Sequence, residues 1–339
     1  MDSKTQRSGV TREWSVMPSL DVAIPNYNYG HYLEGCVRSI LRQKIETLRV
    51  LIIDNASTDD SAQIARRLAA ADPRVELRLR SQNLGPHASF NEGIDWAQSD
   101  YFLILCSDDL LTPHALSNAV GIMEQYSQVN LTYGEAFFLK PEDVDTRVID
   151  LQPATWSVEE GTALIERLCR SGGNPISGPT VVVRTAIQKA VGHYNPSLTH
   201  TDDLEMWLRI AARGKVAHTS SHQAIARVHS FNQSSSVKNT HQWNLQFEAA
   251  YRSFFRGDGA SLHNASDLLR MVKRALSNRS YGSALSSLSR GELGAMELLL
   301  HAIRLRPAAA VFPPVRYLAV KMLQDRALKR HAVLSAKGS

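Results

Sequence analysis

Two kinds of hydrophobic pattern alternate along the first 130 residues of the chain. Mainly apolar runs at 20–24, 50–53 and 101–105 are typical of strands that a parallel sheet buries on both faces. Residues 75–79 alternate apolar and charged side chains, which predicts a strand near the edge of the sheet. Between these runs, apolar side chains recur at helical spacing. The alternation predicts an α/β fold with a doubly wound, mostly parallel sheet and helices on both faces.

The pattern changes twice after this region. From 131 to 238 it is mixed, and a stretch rich in Gly and Pro at 172–179 precedes an apolar run at 181–183. Beyond 239 the pattern is almost wholly helical. The predicted division of the chain is an N-terminal extension at 1–17, one α/β domain at 18–238 and a helical C-terminal region at 239–339.

Composition adds little to the fold but excludes several classes of protein. With 339 residues, 43% of them hydrophobic and 21% charged, the chain is long enough for about two folded domains of ~150 residues. The three cysteines show neither metal-binding nor disulfide spacing, so a reducing, cytoplasmic setting is expected. No apolar run follows the basic N-terminal residues or reaches the ~18 residues needed to cross a bilayer. Neither a signal peptide nor a membrane span is therefore expected.

The net charge of +5 comes largely from the last hundred residues. A basic helical region is interpreted as a peripheral contact with the inner face of an acidic membrane, as a contact with a partner or a second copy, or as a solvated helix face. No motif that reads a nucleic-acid groove accompanies the charge, so nucleic-acid binding is not expected.

Polar residues follow the buried runs where the predicted strands end, and ligands of open α/β sheets bind at that edge. Ser107, Asp108 and Asp109 come soon after the run at 101–105. Two adjacent carboxylates repel each other unless a cation neutralises them, and Mg²⁺ or Mn²⁺ binds through one or two carboxylates plus substrate phosphates. A turn with a helix cap is the alternative interpretation. The other polar segments at strand ends are Pro25-Asn26-Tyr27-Asn28 and Asp54-Asn55.

Three further positions have a chemical and a structural interpretation. Asp202 and Asp203 open a predicted helix and are candidates for a general base, but Asp202 with Glu205 also fits a capping box. His229 follows a predicted strand and is either a ligand or an ordinary surface or core histidine. Asn91 lies inside a helical pattern with a glycine two positions further on, which indicates that another group approaches closely there.

Taken in order, these segments resemble the motifs of the large inverting glycosyltransferase family 2, which has the GT-A fold. The resemblance covers roughly residues 18–236 and is specific, because five motifs recur at family-like separations. The matching segments are Pro25-Asn26-Tyr27-Asn28, Asp54-Asn55-Ala56-Ser57-Thr58-Asp59, Asn83-Leu84-Gly85 with Asn91-Glu92-Gly93-Ile94, Ser99-Asp100-Tyr101 with Asp108-Asp109, and Asp202-Asp203 with Trp207-Leu208-Arg209.

The resemblance implies a nucleotide half at 18–130, an acceptor half at 131–238 and a role for each matching residue. The residues implied to bind the nucleotide-sugar are Pro25, Tyr27, Asn28, Asp54, Asn55, Asn83, Gly85, Asn91 and Asp108, of which Tyr27 and Asp54 hold the base and ribose. The residues implied to bind Mn²⁺ or Mg²⁺ are Asp108, Asp109 and His229. Asp203 is implied to be the general base, with Asp202 beside it.

The sequence departs from the family pattern where Cys106 replaces the first Asp of the Asp-x-Asp motif. It also lacks the Gln-x-x-Arg-Trp motif of processive synthases, which favours addition of a single sugar. We expect an inverting, metal-dependent hexosyltransferase that moves one sugar from a UDP- or dTDP-sugar to an acceptor hydroxyl. The expected acceptor is a glycan or a lipid-linked saccharide in surface polysaccharide or glycan biosynthesis.

Two other functions stay open from the sequence. Cys106 favours an inactive subunit that binds a sugar nucleotide or serves in assembly. A sugar nucleotidyltransferase shares the sheet and the need for a metal. Such an enzyme would require a Gly-rich phosphate loop directly after the first strand, where Pro25-Asn26-Tyr27-Asn28 stands.

Overall fold

The computed structural model describes residues 17–143, 154–230, 232, 237, 239–320 and 323. The strands and α-helices, in chain order, are β1 (Ser19–Asn26), α1 (Gly30–Leu41), β2 (Thr47–Asp54), α2 (Ser61–Ala71), β3 (Val75–Leu79), α3 (Pro86–Trp96), β4 (Tyr101–Ile104), β5 (Leu110–Leu111), α4 (Ala115–Gln125), β6 (Val129–Leu139), β7 (Trp156–Glu160), α5 (Gly161–Ser171), β8 (Val182–Arg184), α6 (Thr185–Val191), α7 (Asp202–Ala211), β9 (Lys215–Arg227), α8 (Thr240–Arg256), α9 (Ala265–Arg290) and α10 (Ala295–Leu305). Short 3-10 helices span Pro141–Asp143, Gly178–Thr180, Asp258–Ser261 and Pro307–Ala310. Most of the predicted extension at 1–17 and the basic residues Lys321, Arg326, Lys329 and Arg330 lie outside the described residues.

The strands of the described residues form one nine-stranded sheet in the order β3-β2-β1-β4-β8-β6-β9-β5, with β7 paired to β9. Strands β3, β2, β1 and β4 are parallel, and β3 lies at the edge, as its alternating pattern predicts. The second half is mixed, because β8 runs antiparallel to both β4 and β6 whereas β6 and β9 are parallel. The order reverses between β1 and β4, so a ligand crevice is expected beyond the carboxyl ends of these two strands.

Helices cover both faces of the sheet, as predicted. Leu20, Val22 and Ile24 of β1 belong to a core formed with α1, α2 and α4, whereas Ala23 belongs to the opposite core with α3, α5 and α7. One apolar run serves both cores because successive residues of a strand face opposite sides. Helix α3 lies so close to β1 that a Cβ on Gly93 would be 2.6 Å from the Ala23 Cβ. This contact confirms the close approach predicted from the glycine in the helical pattern.

The C-terminal region is helical, as predicted, and it shares the second of these cores. Tyr251 and Phe254 of α8 and Leu276 of α9 are fully buried in the core to which α5 and α7 contribute. The Tyr251 hydroxyl also donates a hydrogen bond to the Leu168 carbonyl of α5 at 2.6 Å. From residue 239 onward the elements are therefore helices, and they pack into the same core as α5 and α7. Among the described residues, no helix has the length and apolar character needed to cross a bilayer.

Candidate active site

The crevice at the carboxyl ends of β1 and β4 contains two adjoining cavities. The larger cavity, of about 570 Å³, is lined by the loops after β1, β2 and β4 and by the end of β9. Six of the predicted site residues line it: Pro25, Tyr27, Asn55, Asn83, Asp108 and Asp109. They come from four separate segments of the chain, so their assembly follows the strand-end prediction.

The smaller cavity, of about 240 Å³, shares Phe90, Cys106 and Asp109 with the larger one. Asp202 and Asp203 line its wall. The two acidic pairs found in the sequence therefore lie in neighbouring cavities with a common boundary. This arrangement suits a reaction between two bound molecules.

The end of β9 and the loop after it hold the pair Asp108 and Asp109. Asp108 Oδ2 lies 3.2 Å from His229 Nε2 and accepts a hydrogen bond from Asn232 Nδ2 at 3.3 Å. Asp109 Oδ1 accepts the Arg227 backbone N–H at 3.2 Å. Burial raises the pKa of both carboxyl groups, and the neighbouring Asp108 raises the pKa of Asp109 further. A cation between this pair and a ligand phosphate would relieve that repulsion.

The oxygen and nitrogen atoms around Asp108 fit a hard divalent cation whose remaining coordination positions a bound ligand would fill. In the part of the chain that the structure describes, no cluster of three or more His, Cys, Asp or Glu side chains forms a metal cage. Mg²⁺ and Mn²⁺ do not need such a cage, because substrate phosphates and waters supply the remaining oxygens. The 3.2 Å between Asp108 Oδ2 and His229 Nε2 is close to the spacing of adjacent ligands at about 2.1 Å from an octahedral ion. The metal-binding role of these residues is taken up below as a proposal.

Cys106 occupies the boundary between the two cavities. Burial and the charges of Asp108 and Asp109 raise the pKa of its thiol well above the usual range, so the thiol stays neutral. A neutral thiol adds no third negative charge and is a poor ligand for a hard cation. The alternative interpretation of the acidic pair is half right: the Asp109 N–H donates to the Cys106 carbonyl at 3.0 Å in a turn, but the pair does not cap a helix, because α4 begins only at Ala115.

The predicted nucleotide residues after β2 and β3 form one hydrogen-bonded loop system. Asp54 accepts from Asn26 Nδ2 at 2.9 Å and from the Ser57 hydroxyl at 2.6 Å, so its carboxylate braces the turn. Asn55 Nδ2 donates to Asn83 Oδ1 at 2.7 Å and to the carbonyl of residue 85 at 3.2 Å. These bonds join the ends of β1, β2 and β3 into a single wall.

Two predicted residues, Asn28 and Gly85, support this wall through their backbone conformation. Both have positive φ, 58° at Asn28 and 81° at Gly85, a region that Asn and Gly enter at low cost. Asn28 Oδ1 accepts the Thr58 backbone N–H at 2.7 Å. Gly85 precedes α3 and lets the chain turn from β3 into that helix.

Asn91 has a structural role at a distance from the predicted nucleotide residues. Its side chain donates to the Tyr194 carbonyl at 3.3 Å and accepts the Tyr194 N–H at 2.8 Å. Tyr194 lines the smaller cavity. Asn91 therefore shapes the pocket by fixing the backbone of its wall.

Asp203 is oriented by two hydrogen bonds at the start of α7. Asn174 Nδ2 donates to Asp203 Oδ2 at 2.8 Å, and the Leu204 N–H donates to Oδ1 at 2.7 Å. Burial and the neighbouring Asp202 raise the pKa of Asp203 to about 7. Asp202 Oδ2 in turn lies 3.3 Å from His87 Nε2, and the Asp202 interaction raises the pKa of that imidazole.

The capping-box interpretation of this segment is wrong. Asp202 is the first helical residue and Thr201 occupies the N-cap position. Glu205 accepts from Arg209 Nε at 2.8 Å and from the Ser253 hydroxyl at 3.0 Å, so it is used in packing α7 against α8. A capping box therefore does not account for the acidic pair, although both acids lie in the first turn of α7, where negative charge suits the helix dipole.

Sequence reasoning did not find several residues that build the site. Asn174 lies in the Gly/Pro-rich stretch, whose composition was the only signal for it. His87 and Arg227 lie in or beside matching segments but carry no pattern of their own. Trp243 lines the smaller cavity from α8, beyond the segment that resembles the family.

Comparison with known proteins settles the family. The family model described as glycosyl transferase family 2 matches residues 21–144. An uncharacterized glycosyltransferase of Haemophilus influenzae is 30% identical over 208 residues, which cover 61% of this chain and 78% of that protein. The chain belongs to glycosyl transferase family 2. A shorter match to the GalNAc(5)-diNAcBac-PP-undecaprenol beta-1,3-glucosyltransferase of Campylobacter jejuni is 32% identical over 102 residues, covering 30% of this chain and 33% of that one.

Solved structures agree with this family 2 glycosyltransferase in fold. The crystal structure of S. aureus TarS 1-349 in complex with UDP-GlcNAc has a TM-score of 0.61 and 17% identity, covering 84% of this chain and 79% of that one. The mannosyltransferase PcManGT from Pyrobaculum calidifontis, in complex with GDP-Man and Mn²⁺, has a TM-score of 0.55 and 18% identity, covering 93% and 91%. The predicted family, GT-A-like fold and enzyme class are confirmed.

Proposed function

We propose that this family 2 glycosyltransferase moves one sugar from a nucleotide-sugar to an acceptor hydroxyl and inverts the anomeric carbon. The observation that carries the proposal is the presence of two acidic pairs in adjoining cavities, Asp108 with Asp109 and Asp202 with Asp203. Asp108 with Asp109 suits a cation that faces the donor phosphates, and Asp202 with Asp203 suits acceptance of the proton from an attacking hydroxyl. A nucleophile and a leaving group held on opposite sides of one carbon react in a single displacement.

The larger cavity is assigned to the donor, for which we propose a UDP- or dTDP-sugar. Its volume of about 570 Å³ falls within the range of ~300–1,000 Å³ usual for small-molecule sites. Tyr27, which is 43% exposed at the wall, offers a ring face to a base, and Asp54 holds the adjoining turn. TarS in complex with UDP-GlcNAc and PcManGT in complex with GDP-Man share this fold, which supports a nucleotide-sugar donor.

Mn²⁺ or Mg²⁺ is proposed to bind at Asp108 and His229, with Asp109 beside them. When bound, the ion supplies positive charge against the departing nucleoside diphosphate. Asn232 orients Asp108 Oδ2 by its hydrogen bond of 3.3 Å. Arg227 Nη1 donates to the Asp108 carbonyl at 2.5 Å, so a permanent positive charge is held next to the pair.

Asp203 is proposed as the general base. A pKa of about 7 leaves much of the carboxyl group ionised at neutral pH and able to accept a proton. As the acceptor oxygen bonds to the anomeric carbon, its proton passes to Asp203. The bond between that carbon and the donor phosphate oxygen breaks, and the electron pair leaves with the diphosphate. Asn174 orients Asp203, and His87 with Asp202 fixes the neighbouring carboxylate.

The proposed acceptor is a glycan or a lipid-linked saccharide in surface polysaccharide or glycan biosynthesis. The name of the Campylobacter jejuni relative, a glucosyltransferase acting on a saccharide carried by undecaprenol diphosphate, supports this class. Addition of one sugar at each encounter is proposed because the sequence lacks the processive Gln-x-x-Arg-Trp motif.

The proposal is tested by release of nucleoside diphosphate from a panel of UDP-, dTDP- and GDP-sugars, with and without MnCl₂. We expect release from one donor class and a requirement for the ion. Nucleotide binding without release from any donor would favour the second candidate, an inactive sugar-nucleotide-binding subunit, to which Cys106 points. Absence of both binding and release would contradict the proposed function altogether.

The helical region is proposed to contact an anionic membrane surface. Leu293, Met296 and Leu300 are exposed at helical spacing from the α9–α10 turn onward. From Arg304 to the end, the sequence carries eight Lys or Arg and one acid, Asp325. Exposed apolar side chains combined with basic charge are features of peripheral lipid contacts.

Sedimentation with phosphatidylglycerol vesicles tests this contact in the full chain. We expect Leu293→Glu to lower the vesicle-bound fraction and Leu79→Glu, at an exposed position on β3, to leave it unchanged. An equal bound fraction for both variants would overturn the contact. If the wild type forms a dimer and Leu293→Glu abolishes it, the exposed side chains of Leu293, Met296 and Leu300 would instead be assigned to contact with a second copy of the chain.

A further inference from the structure

The smaller cavity has one wall that the matched family segment does not supply. Trp243, in the first turn of α8, lines the cavity together with Trp207 of α7 and Tyr194. The family match ends at residue 144, so these three aromatic side chains all lie beyond it. The helical region therefore contributes directly to the cavity that also contains Asp203.

Trp243 is fixed in place by its neighbours. Its ring stacks on Phe247 with the ring centroids 5.8 Å apart, and it lies 5.9 Å from the His200 ring. The Thr201 hydroxyl donates to the Gln246 carbonyl at 3.0 Å, which ties α8 to the start of α7. An aromatic face held this way binds a ligand with little loss of side-chain entropy.

Trp207 and Asp203 form other parts of the wall of the same cavity. Trp207 is only 5% exposed and its Nε1–H is buried, so it contributes the apolar surface of its ring. Asp203 offers a hydrogen-bond acceptor in the same space. The cavity thus combines aromatic surfaces with a carboxylate pair.

This combination matches a single sugar ring. A pyranose has an apolar face of C–H groups, which packs on an aromatic ring, and a rim of hydroxyls that both donate and accept hydrogen bonds. The cavity volume of about 240 Å³ lies below the ~300–1,000 Å³ of drug-sized sites, so it has space for one ring and not for a chain.

We propose that the acceptor enters as a terminal pyranose that stacks on Trp243, with the reacting hydroxyl facing Asp203. Trp243 is then a specificity-determining residue that the helical region supplies to the catalytic domain. This inference rests on the proposed function, because it needs the smaller cavity to be the acceptor site.

The test uses the full chain with p-nitrophenyl glycosides as saccharide acceptors, glycerol as a non-sugar acceptor and the donor identified in the panel above. We expect Trp243→Ala to raise the KM for the glycoside by about tenfold, the value of one aromatic contact, with the nucleotide Kd unchanged. Trp243→Phe keeps a ring and should restore most of the affinity. Trp156→Phe on β7, which lines neither cavity, is the matched control and should behave as wild type.

The other possible results contradict the pyranose assignment, the role of Trp243 or the proposed function. Wild-type transfer to glycerol with the same kcat/KM as to the glycosides would overturn the pyranose assignment while leaving the proposed function intact. An unchanged glycoside KM in Trp243→Ala would overturn the role of Trp243. A parallel loss of nucleotide affinity and a lowered Tm in that variant would assign Trp243 to packing. Failure of the wild type to bind or use any nucleotide-sugar would instead contradict the proposed function itself.

Discussion

The two cavities differ in how the chain assembles them. The larger one is built at the ends of parallel strands, so Pro25, Asn55 and Asp108 each follow an apolar run that the sequence displays. The smaller one shares the end of β4 but is otherwise built mainly from helices and irregular segments, and residues as distant as Phe90 and Trp243 meet there through packing alone. The comparison teaches that a donor-type site can be located from strand periodicity, whereas an acceptor-type site depends on tertiary structure.

Asp108→Asn tests the larger cavity and, together with Asp203→Asn, has the largest predicted effect. Removing the charge while keeping the shape should lower the transfer rate by about 10³-fold, because the carboxylate would no longer attract the cation that neutralises the leaving group. Steady-state transfer at saturating Mn²⁺ measures the effect. Asp267→Asn, at an exposed position on α9, is the matched control. Near-normal, Mn²⁺-dependent transfer by Asp108→Asn would remove this residue from the metal site.

Asn174→Ala tests the smaller cavity with an intermediate effect. Its side chain donates to the Asp203 carboxylate, and this bond lowers the pKa that burial raises to about 7. A base works when deprotonated, so wild-type kcat should fall as the pH drops below about 7. Loss of the hydrogen bond from Asn174 raises the pKa of Asp203. The acid limb of the pH profile of kcat should therefore move to higher pH, and kcat at neutral pH should fall about tenfold.

The pH dependence of kcat for wild type and Asn174→Ala measures this shift. Asn118→Ala on α4 removes an amide of the same size that lines neither cavity and should leave the profile unchanged. An acid limb at the same pH in Asn174→Ala and wild type would show that Asn174 does not act on the base.

Much of the fold followed from the sequence because the buried strands carry a strong periodic signal. The runs at 50–53 and 101–105 became β2 and β4, and the alternating residues became the edge strand β3. Strand β5 escaped detection because its two residues, Leu110 and Leu111, are too short for any period. Helix α2 begins at Ser61, whose backbone N–H donates to Asp59 Oδ1 at 3.0 Å.

The site was predictable only where a residue stands at a strand end. Asp202 and Glu205 have the spacing of a capping box, yet Glu205 pairs with Arg209 one helical turn further along α7 at 2.8 Å and accepts from the Ser253 hydroxyl of α8. His87 and Asn174 carry no local pattern, and each gains a role only through its contact with Asp202 or Asp203. Such contacts join residues more than 25 positions apart, which spacing along the chain does not reveal.

Gly93→Ala gives the smallest predicted effect and tests the junction of the two regions. Helix α3 carries both Ser89, at the larger cavity, and Asn91, which holds the wall of the smaller one. An added Cβ would lie 2.6 Å from the Ala23 Cβ, and overpacking of this kind costs about 1–3 kcal/mol of stability. Thermal unfolding should show a lower Tm for Gly93→Ala.

Gly121→Ala on α4 is the matched control for this change. A Cβ there has no atom within 4 Å, so the helix preference for alanine should leave the Tm equal or raise it. Equal Tm values for Gly93→Ala and wild type would show that α3 and β1 separate easily, and that the two cavities are less firmly coupled than their shared wall indicates.

The kinetics of Asp203→Asn test the central claim most directly. The substitution keeps the size of the side chain and one acceptor oxygen for the Leu204 N–H, but it replaces the oxygen that accepts from Asn174 with an amide nitrogen and removes the group that accepts the proton. The account predicts that kcat for transfer falls by about 10²–10⁴-fold, while the nucleotide Kd and the Tm stay at wild-type values. Transfer at near the wild-type rate by a folded Asp203→Asn protein would contradict the assignment of the smaller cavity as the place where the acceptor is activated.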